Sequence, residues 1–132
     1  MTRREDRRVA IDILYQADVT DGSPFSVVAD WRGAGREVPP FAEEVVDGVA
    51  DKLPDIDLLL ETHAEGWTVR RMAALDRTIL RVGVYELLWC DDIPTSVAIS
   101  EAVEAAAELS AADAKGFVNG VLGRIARDEG VA

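Results

Sequence analysis

Wherever apolar residues persist in this chain they return every three or four positions, and nowhere do they alternate with polar ones over the length of a strand. A period near 3.6 lines such residues along one stripe of a helix, so the chain is predicted to be all-α. Breakers divide it into seven helical segments. The first runs from about Arg3 to Ala17, with Ala10, Ile11, Leu14 and Ala17 on its stripe. A second follows Ser23 as N-cap and Pro24 as first helical residue, and dies in the glycines at 33–35. Pro39 and Pro40 open a third carrying Phe41, Val45, Val49 and Leu53, which Pro54 is expected to kink before Ile56, Leu59, Leu60 and His63 resume the stripe.

Thr68 is expected to cap a brief turn through Ala74, and Asp76 to cap a fifth segment bearing Ile79, Leu80, Val84, Leu87 and Leu88. The sixth, Ser96 to Leu109, is Ala-rich. Its predicted inward face is Val97, Ile99, Val103 and Ala106, with Glu101, Glu104 and Glu108 turned to water. The seventh contains KGFVNGVLGRIA, Lys115 to Ala126, whose stripe of Phe117, Val118, Val121, Leu122, Ile125 and Ala126 is interrupted by Asn119-Gly120, a dipeptide that ordinarily marks a turn. Each glycine in a helix interior costs about 1 kcal/mol against alanine. The expected compensation is structural: Gly120 would let a neighbouring helix approach closely, and Asn119 would satisfy backbone groups at that crossing.

A chain of 132 residues supports one domain with a real core, here residues 1–132. No apolar run is long enough to span a bilayer, which gives the expectation of a soluble, cytoplasmic protein. A single cysteine, Cys90, and a single histidine, His63, provide neither an internal disulfide nor a Cys/His metal cluster. His63 sits on an apolar stripe and reads as a buried, satisfied side chain, and no second group stands ready to activate Cys90. The expectation is a protein with no enzymatic activity and no cofactor.

The net charge of −11 argues against a nucleic-acid partner, but its distribution argues the other way. Four of the fourteen basic residues, Arg3, Arg4, Arg7 and Arg8, crowd the first eight positions, and on a helix Arg3/Arg7 and Arg4/Arg8 stack at i,i+4. Arginine supplies phosphate contacts, and Phe117 could either stack an unpaired base or fill the core.

The segments DRTILRVGVYELLWCDDIPTSVAISEAVEAAAELS, Asp76 to Ser110, and KGFVNGVLGRIA resemble the NusB transcription antitermination family. So do the Arg-rich start running into VAIDILYQAD and the W-x-x-x-R turn at Trp67 and Arg71, and the order fits over essentially the whole chain. The resemblance implies an all-helical fold of two small packed bundles and a role in ribosomal RNA transcription. It implies binding of boxA RNA as a heterodimer with NusE, a ribosomal protein, within an RNA polymerase antitermination complex. On this resemblance Arg3, Arg4, Arg7 and Arg8 match the RNA-binding motif, Asp113, Lys115 and Phe117 match a second RNA-proximal surface, and Tyr15 and Asp76 match partner-facing positions. The chain departs from the family's usual pattern in placing Glu5 and Asp6 among the arginines, Gly116 where a base is common before FVNG, and Ser100 for the usual Asn. Alternative readings are a helical adaptor of the transcription machinery with little RNA binding, or a stand-alone relative of the RNA-recognition domain of ribosomal RNA methyltransferases.

Overall fold

The computed structural model describes residues 2–131, and among them there are six α-helices, one 3-10 turn and no strand. The helices are α1 (Arg3–Val19), α2 (Pro24–Gly33), α3 (Pro40–His63), α4 (Ala74–Trp89), α5 (Thr95–Leu109) and α6 (Ala114–Asp128), with the 3-10 turn Val69–Arg71 between α3 and α4. With that turn counted, the seven expected segments are all present. The chain divides into two compact units, Met1–Asp51 and Lys52–Ala132. Helix α3 crosses the boundary and runs unbroken through Pro54, so the interruption expected there does not end the helix.

In the first unit α1 begins at a reciprocal cap. Thr2 Oγ1 accepts from the Glu5 amide at 3.1 Å and donates to Glu5 Oε1 at 3.2 Å, which satisfies one of the helix's orphan donors. Glu5 therefore has a structural task inside the arginine cluster. Ser23 Oγ accepts from the Phe25 amide at 3.2 Å and Pro24 follows as first helical residue, as expected for α2. The buried stripe of α1, extended by Ile13, and Val27, Val28 and Trp31 of α2 form the apolar interior, with Trp31 Nε1 donating to Gln16 Oε1 at 3.2 Å.

The second unit is built on α4, α5 and α6. Thr68 caps the 3-10 turn, accepting from the Arg71 amide, as its position suggested. The N-cap of α4 is Ala73, and Asp76 lies inside the first turn; the cap assigned to Asp76 is corrected, because the helix starts two residues before it. There the carboxylate can still offset the helix dipole.

The inward face of α5 is only in part the one expected: Ala106 is buried as predicted, but the three larger residues are not. Ala98, Ala102, Ala105 and Ala106 are buried, while Val97 is exposed and Ile99 and Val103 are only half-buried. The reason is a tight crossing with α4. A methyl built on Gly83 would lie 2.8 Å from Leu122 Cδ1 of α6 and 3.4 Å from the Ala102 Cβ, so position 83 has no room for a side chain unless Leu122 moves.

Gly83, and not Gly120, is the glycine of close approach. A methyl on Gly120 would meet only the Arg124 guanidinium of its own helix, at 3.4 Å, and Asn119 is exposed. The crossing assigned to Asn119 and Gly120 is therefore corrected. Arg124 itself reaches the end of α3, its Nε donating to the His63 carbonyl at 3.0 Å. His63 is buried as expected, with Nδ1 donating to the Leu59 carbonyl and Nε2 2.8 Å from Asp128 Oδ2 of α6. Among the described residues no helix is long and apolar enough to cross a membrane.

Candidate nucleic-acid interface

In the first unit, the arginines do not form a uniform solvated stripe. Arg3 and Arg4 are exposed and Arg8 half-buried, but Arg7 is only 6% exposed. The guanidiniums of Arg3 and Arg7 lie over the Phe41 ring, 4.3 and 5.5 Å from its centroid. Cations over an aromatic face at these distances are attracted by the ring quadrupole, so Phe41 orients the Arg3/Arg7 pair. The i,i+4 spacing brings the two arginines to one ring. It also withdraws Arg7 from the surface that a phosphate could reach.

Tyr15 lies about two to three turns beyond the arginines on the same helix, 37% exposed. Val19 follows at i+4 and is also exposed, so the end of α1 presents an apolar pair that fits a protein surface better than a phosphate.

In the second unit, Asp113, Ala114 and Phe117 from the start of α6 meet Trp67, Arg71 and Asp76 around an open cavity of about 470 Å³. Trp67 is 48% exposed and packs edge-to-face against Phe117, with ring centroids 6.4 Å apart. The Arg71 guanidinium stands 5.8 Å from the Trp67 ring. Asp76 Oδ1 accepts a hydrogen bond from Ser110 Oγ, which holds this carboxylate at the cavity wall. Asp113 occupies the N-cap position of α6 without making a side-chain cap bond. Lys115 is exposed on the same first turn and does not line the cavity.

Phe117 is thus neither fully core nor fully free. It is half-buried with its ring at the cavity edge, where a planar group could lie against the aromatic pair. Asp76, matched to the partner-facing side in sequence, shares this cavity with Asp113 and Phe117. Trp67 and Arg71 complete it. Their W-x-x-x-R spacing was visible in sequence, but its meaning depends on the 3-10 turn, which carries an exposed tryptophan into an arginine's reach. Among the described residues no group of three or more His, Cys, Asp or Glu side chains could hold a metal.

The family model described as NusB family matches residues 4–127. The transcription antitermination protein NusB of Thermobifida fusca is 50% identical, over 94% of this chain and 88% of its own length. Its counterpart in Beutenbergia cavernae is 48% identical over 95% of this chain and 89% of its own. Among solved structures, T. maritima NusB gives a TM-score of 0.88 at 30% identity, covering 97% of this chain and 92% of that one. The crystal structure of the antitermination factors NusB and NusE in complex with double-stranded RNA gives 0.83 at 24% identity, covering 97% and 99%, a likeness of fold. The match extends from the arginine helix past the Trp67 turn to the FVNGVL helix, and on that ground the chain belongs to the NusB family.

Proposed function

We propose that this chain is a non-enzymatic transcription antitermination factor of the cytoplasm, which binds boxA RNA of ribosomal RNA operons together with the ribosomal protein NusE. In this reading residues 1–132 act as a single RNA-binding domain, and the pair joins an RNA polymerase antitermination complex. The observation that carries it is identity of 48–50% over more than nine-tenths of the chain with proteins named for transcription antitermination. A solved relative of the same fold in complex with NusE and RNA supports the choice of partners.

The chemistry of the two surfaces supports a division of labour. Arg3, Arg4 and Arg8 supply the phosphate contacts, with Arg7 holding the aromatic stack on which Arg3 rests. Asp113, Lys115 and Phe117 supply the second RNA surface, where Phe117 and Trp67 offer ring faces and Lys115 a charge. Tyr15 and Asp76 serve the protein partner. Three accessible arginines give a log–log salt slope of about −2 on single-stranded RNA, since each phosphate contributes roughly 0.7. On a protein of net charge −11 that is weak binding, and a basic partner beside it would extend the cationic track.

Titration of labelled boxA RNA against the parent and the Arg4→Ala/Arg8→Ala variant, each with and without NusE, tests the reading. The expected result is a large gain from NusE and a loss in the variant with little change in melting temperature. Equal affinities for parent and variant would move the RNA site off α1. Absence of any gain from NusE would favour the adaptor reading.

A further inference from the structure

Charge along the first unit is segregated. The start of α1 is rich in arginine, whereas residues 24–51, which form α2 and the first half of α3, hold six acids against Arg32 and Arg36 alone. Between these two helices runs an open groove of about 290 Å³. One wall is a stripe of α2, Phe25, Val28 and Ala29, at the i, i+3, i+4 positions that share a helix face. The other wall is Glu43 and Asp47 of α3, one turn apart.

The three charged residues that line this groove are not balanced. Arg32 Nη1 donates to Glu43 Oε2 at 2.8 Å, so that pair is neutral as a unit. Asp47 is left as the uncompensated charge. Partial burial and the nearby Glu43 carboxylate push its carboxyl above its ordinary range, with Arg32 opposing them only in part. Phe25, on the facing wall, is 58% exposed, whereas Val27, Val28 and Trp31 of the same helix are buried. An aromatic face next to an unneutralised carboxylate is the pairing that receives a long cationic side chain: the methylenes lie on the ring and the charge reaches the acid.

We propose that the α2–α3 groove is a docking site for a basic polypeptide segment, which places a lysine or arginine between Phe25 and Asp47 and an adjoining apolar side chain over Val28 and Ala29. Charge complementarity selects the class of partner. Phosphate is repelled by Glu43, Glu44, Asp47 and Asp51, all on the same helix, so nucleic acid is the wrong occupant. The groove shares no lining residue with the cavity at Trp67, and none of the arginines at the start of α1 lines it.

The probe is the peptide acetyl-Leu-Arg-Leu-Arg-amide, with acetyl-Leu-Gln-Leu-Gln-amide as its uncharged counterpart, added to full-length isotopically labelled protein and followed by backbone amide shifts in NMR. The expected result is saturable shifts confined to amides around Phe25, Val28, Ala29 and Asp47, with none from the glutamine peptide. Asp47→Asn should weaken binding at least fivefold, and Phe25→Ser similarly. Asp91→Asn, which removes an equal charge elsewhere, should change it less than twofold. All these positions are exposed, and a thermal melt of each variant verifies that it folds. Shifts scattered over the acidic surface, or an equal response to Asp91→Asn and Asp47→Asn, would overturn the proposal. So would shifts of the same amides on adding single-stranded RNA in place of the peptide.

Discussion

Replacing Gly83 by alanine sets two effects of opposite sign against each other in the middle of α4. Alanine is favoured over glycine in a helix interior by about 1 kcal/mol. The new methyl would stand 2.8 and 3.2 Å from the two Cδ atoms of Leu122 and 3.4 Å from the Ala102 Cβ. Carbon atoms rest about 3.5–4.0 Å apart, so the contact with Leu122 is too short by more than half an ångström. Leu122 is fully buried, in an interior packed closely enough that its neighbours feel any shift, and Ala102 has no side-chain torsion with which to withdraw. Overpacking of this kind costs about 1–3 kcal/mol, so it exceeds the propensity gain and leaves a net loss near 1 kcal/mol. Urea unfolding followed by circular dichroism measures it. Gly123→Ala and Gly120→Ala are the controls, because their methyls would meet only the guanidinium ends of Arg127 and Arg124, at 3.4 Å; each should be neutral or stabilise by up to about 1 kcal/mol. In a Leu122→Val background the clash is relieved, and Gly83→Ala should turn neutral or favourable, which gives a coupling of about 1–2 kcal/mol in the double-mutant cycle. If Gly83→Ala stabilises the parent as much as Gly123→Ala does, the tight α4–α5–α6 seam is wrong.

Arg81 grips Asp57 through two parallel bonds of 2.9 Å from Nε and Nη2, and both side chains are largely shielded. Either single alanine substitution should cost about 1–3 kcal/mol, with a coupling in the double mutant above that of an exposed pair; simple additivity in chemical denaturation would refute this. In the first unit, the hydrogen bond from Arg32 holds Glu43 below its usual carboxyl range, while burial and Glu43 hold Asp47 above its own. Glu43 therefore stabilises the fold above its unfolded range and loses that effect as pH falls through its folded value; Asp47 acts in reverse, favouring the fold at low pH and losing that effect as pH rises through its folded value. Arg32→Gln should raise both carboxyl midpoints in an NMR titration, and an unmoved Glu43 would contradict the assignment.

Periodicity was enough to place the helices, because the stripes on α1, α3, α4 and α6 are made of large aliphatic residues whose burial dominates the energy. Local caps were equally legible at Ser23 and Thr68, where a hydroxyl directly precedes its helix or turn. What failed was the reading of α5. A search for large apolar residues selects Val97 and Ile99, but the helix faces a glycine on α4, and at that distance alanines pack better. For the same reason Gly83 passed unnoticed between Val82 and Val84 while the more conspicuous Asn119-Gly120 drew the structural assignment. Glycine in a sequence shows that space can be made, and only the neighbouring helix decides whether it is used. Thr2 and Glu5 stand at the spacing of a capping pair, which Glu5 fulfils while also removing charge from the arginine cluster. At the candidate interface the residues of α6 were found but their company was not, since Trp67 and Arg71 arrive from a turn some forty residues earlier.

An arginine in water samples many rotamers, and fixing it costs about 2 kcal/mol of conformational entropy. Arg3 is already laid over Phe41 in the folded chain, so much of that ordering is complete before any partner arrives. A ring that never touches the ligand can in this way set how tightly the ligand is held. Phe41→Leu keeps every arginine and every charge, yet it should make association more costly in entropy, with RNA affinity lower by up to about tenfold, since 1.4 kcal/mol is a factor of ten. Calorimetry would see the change mainly in the entropy of binding. Disorder in the unbound protein, introduced by a side chain on α3, would then be what weakens a contact made by α1.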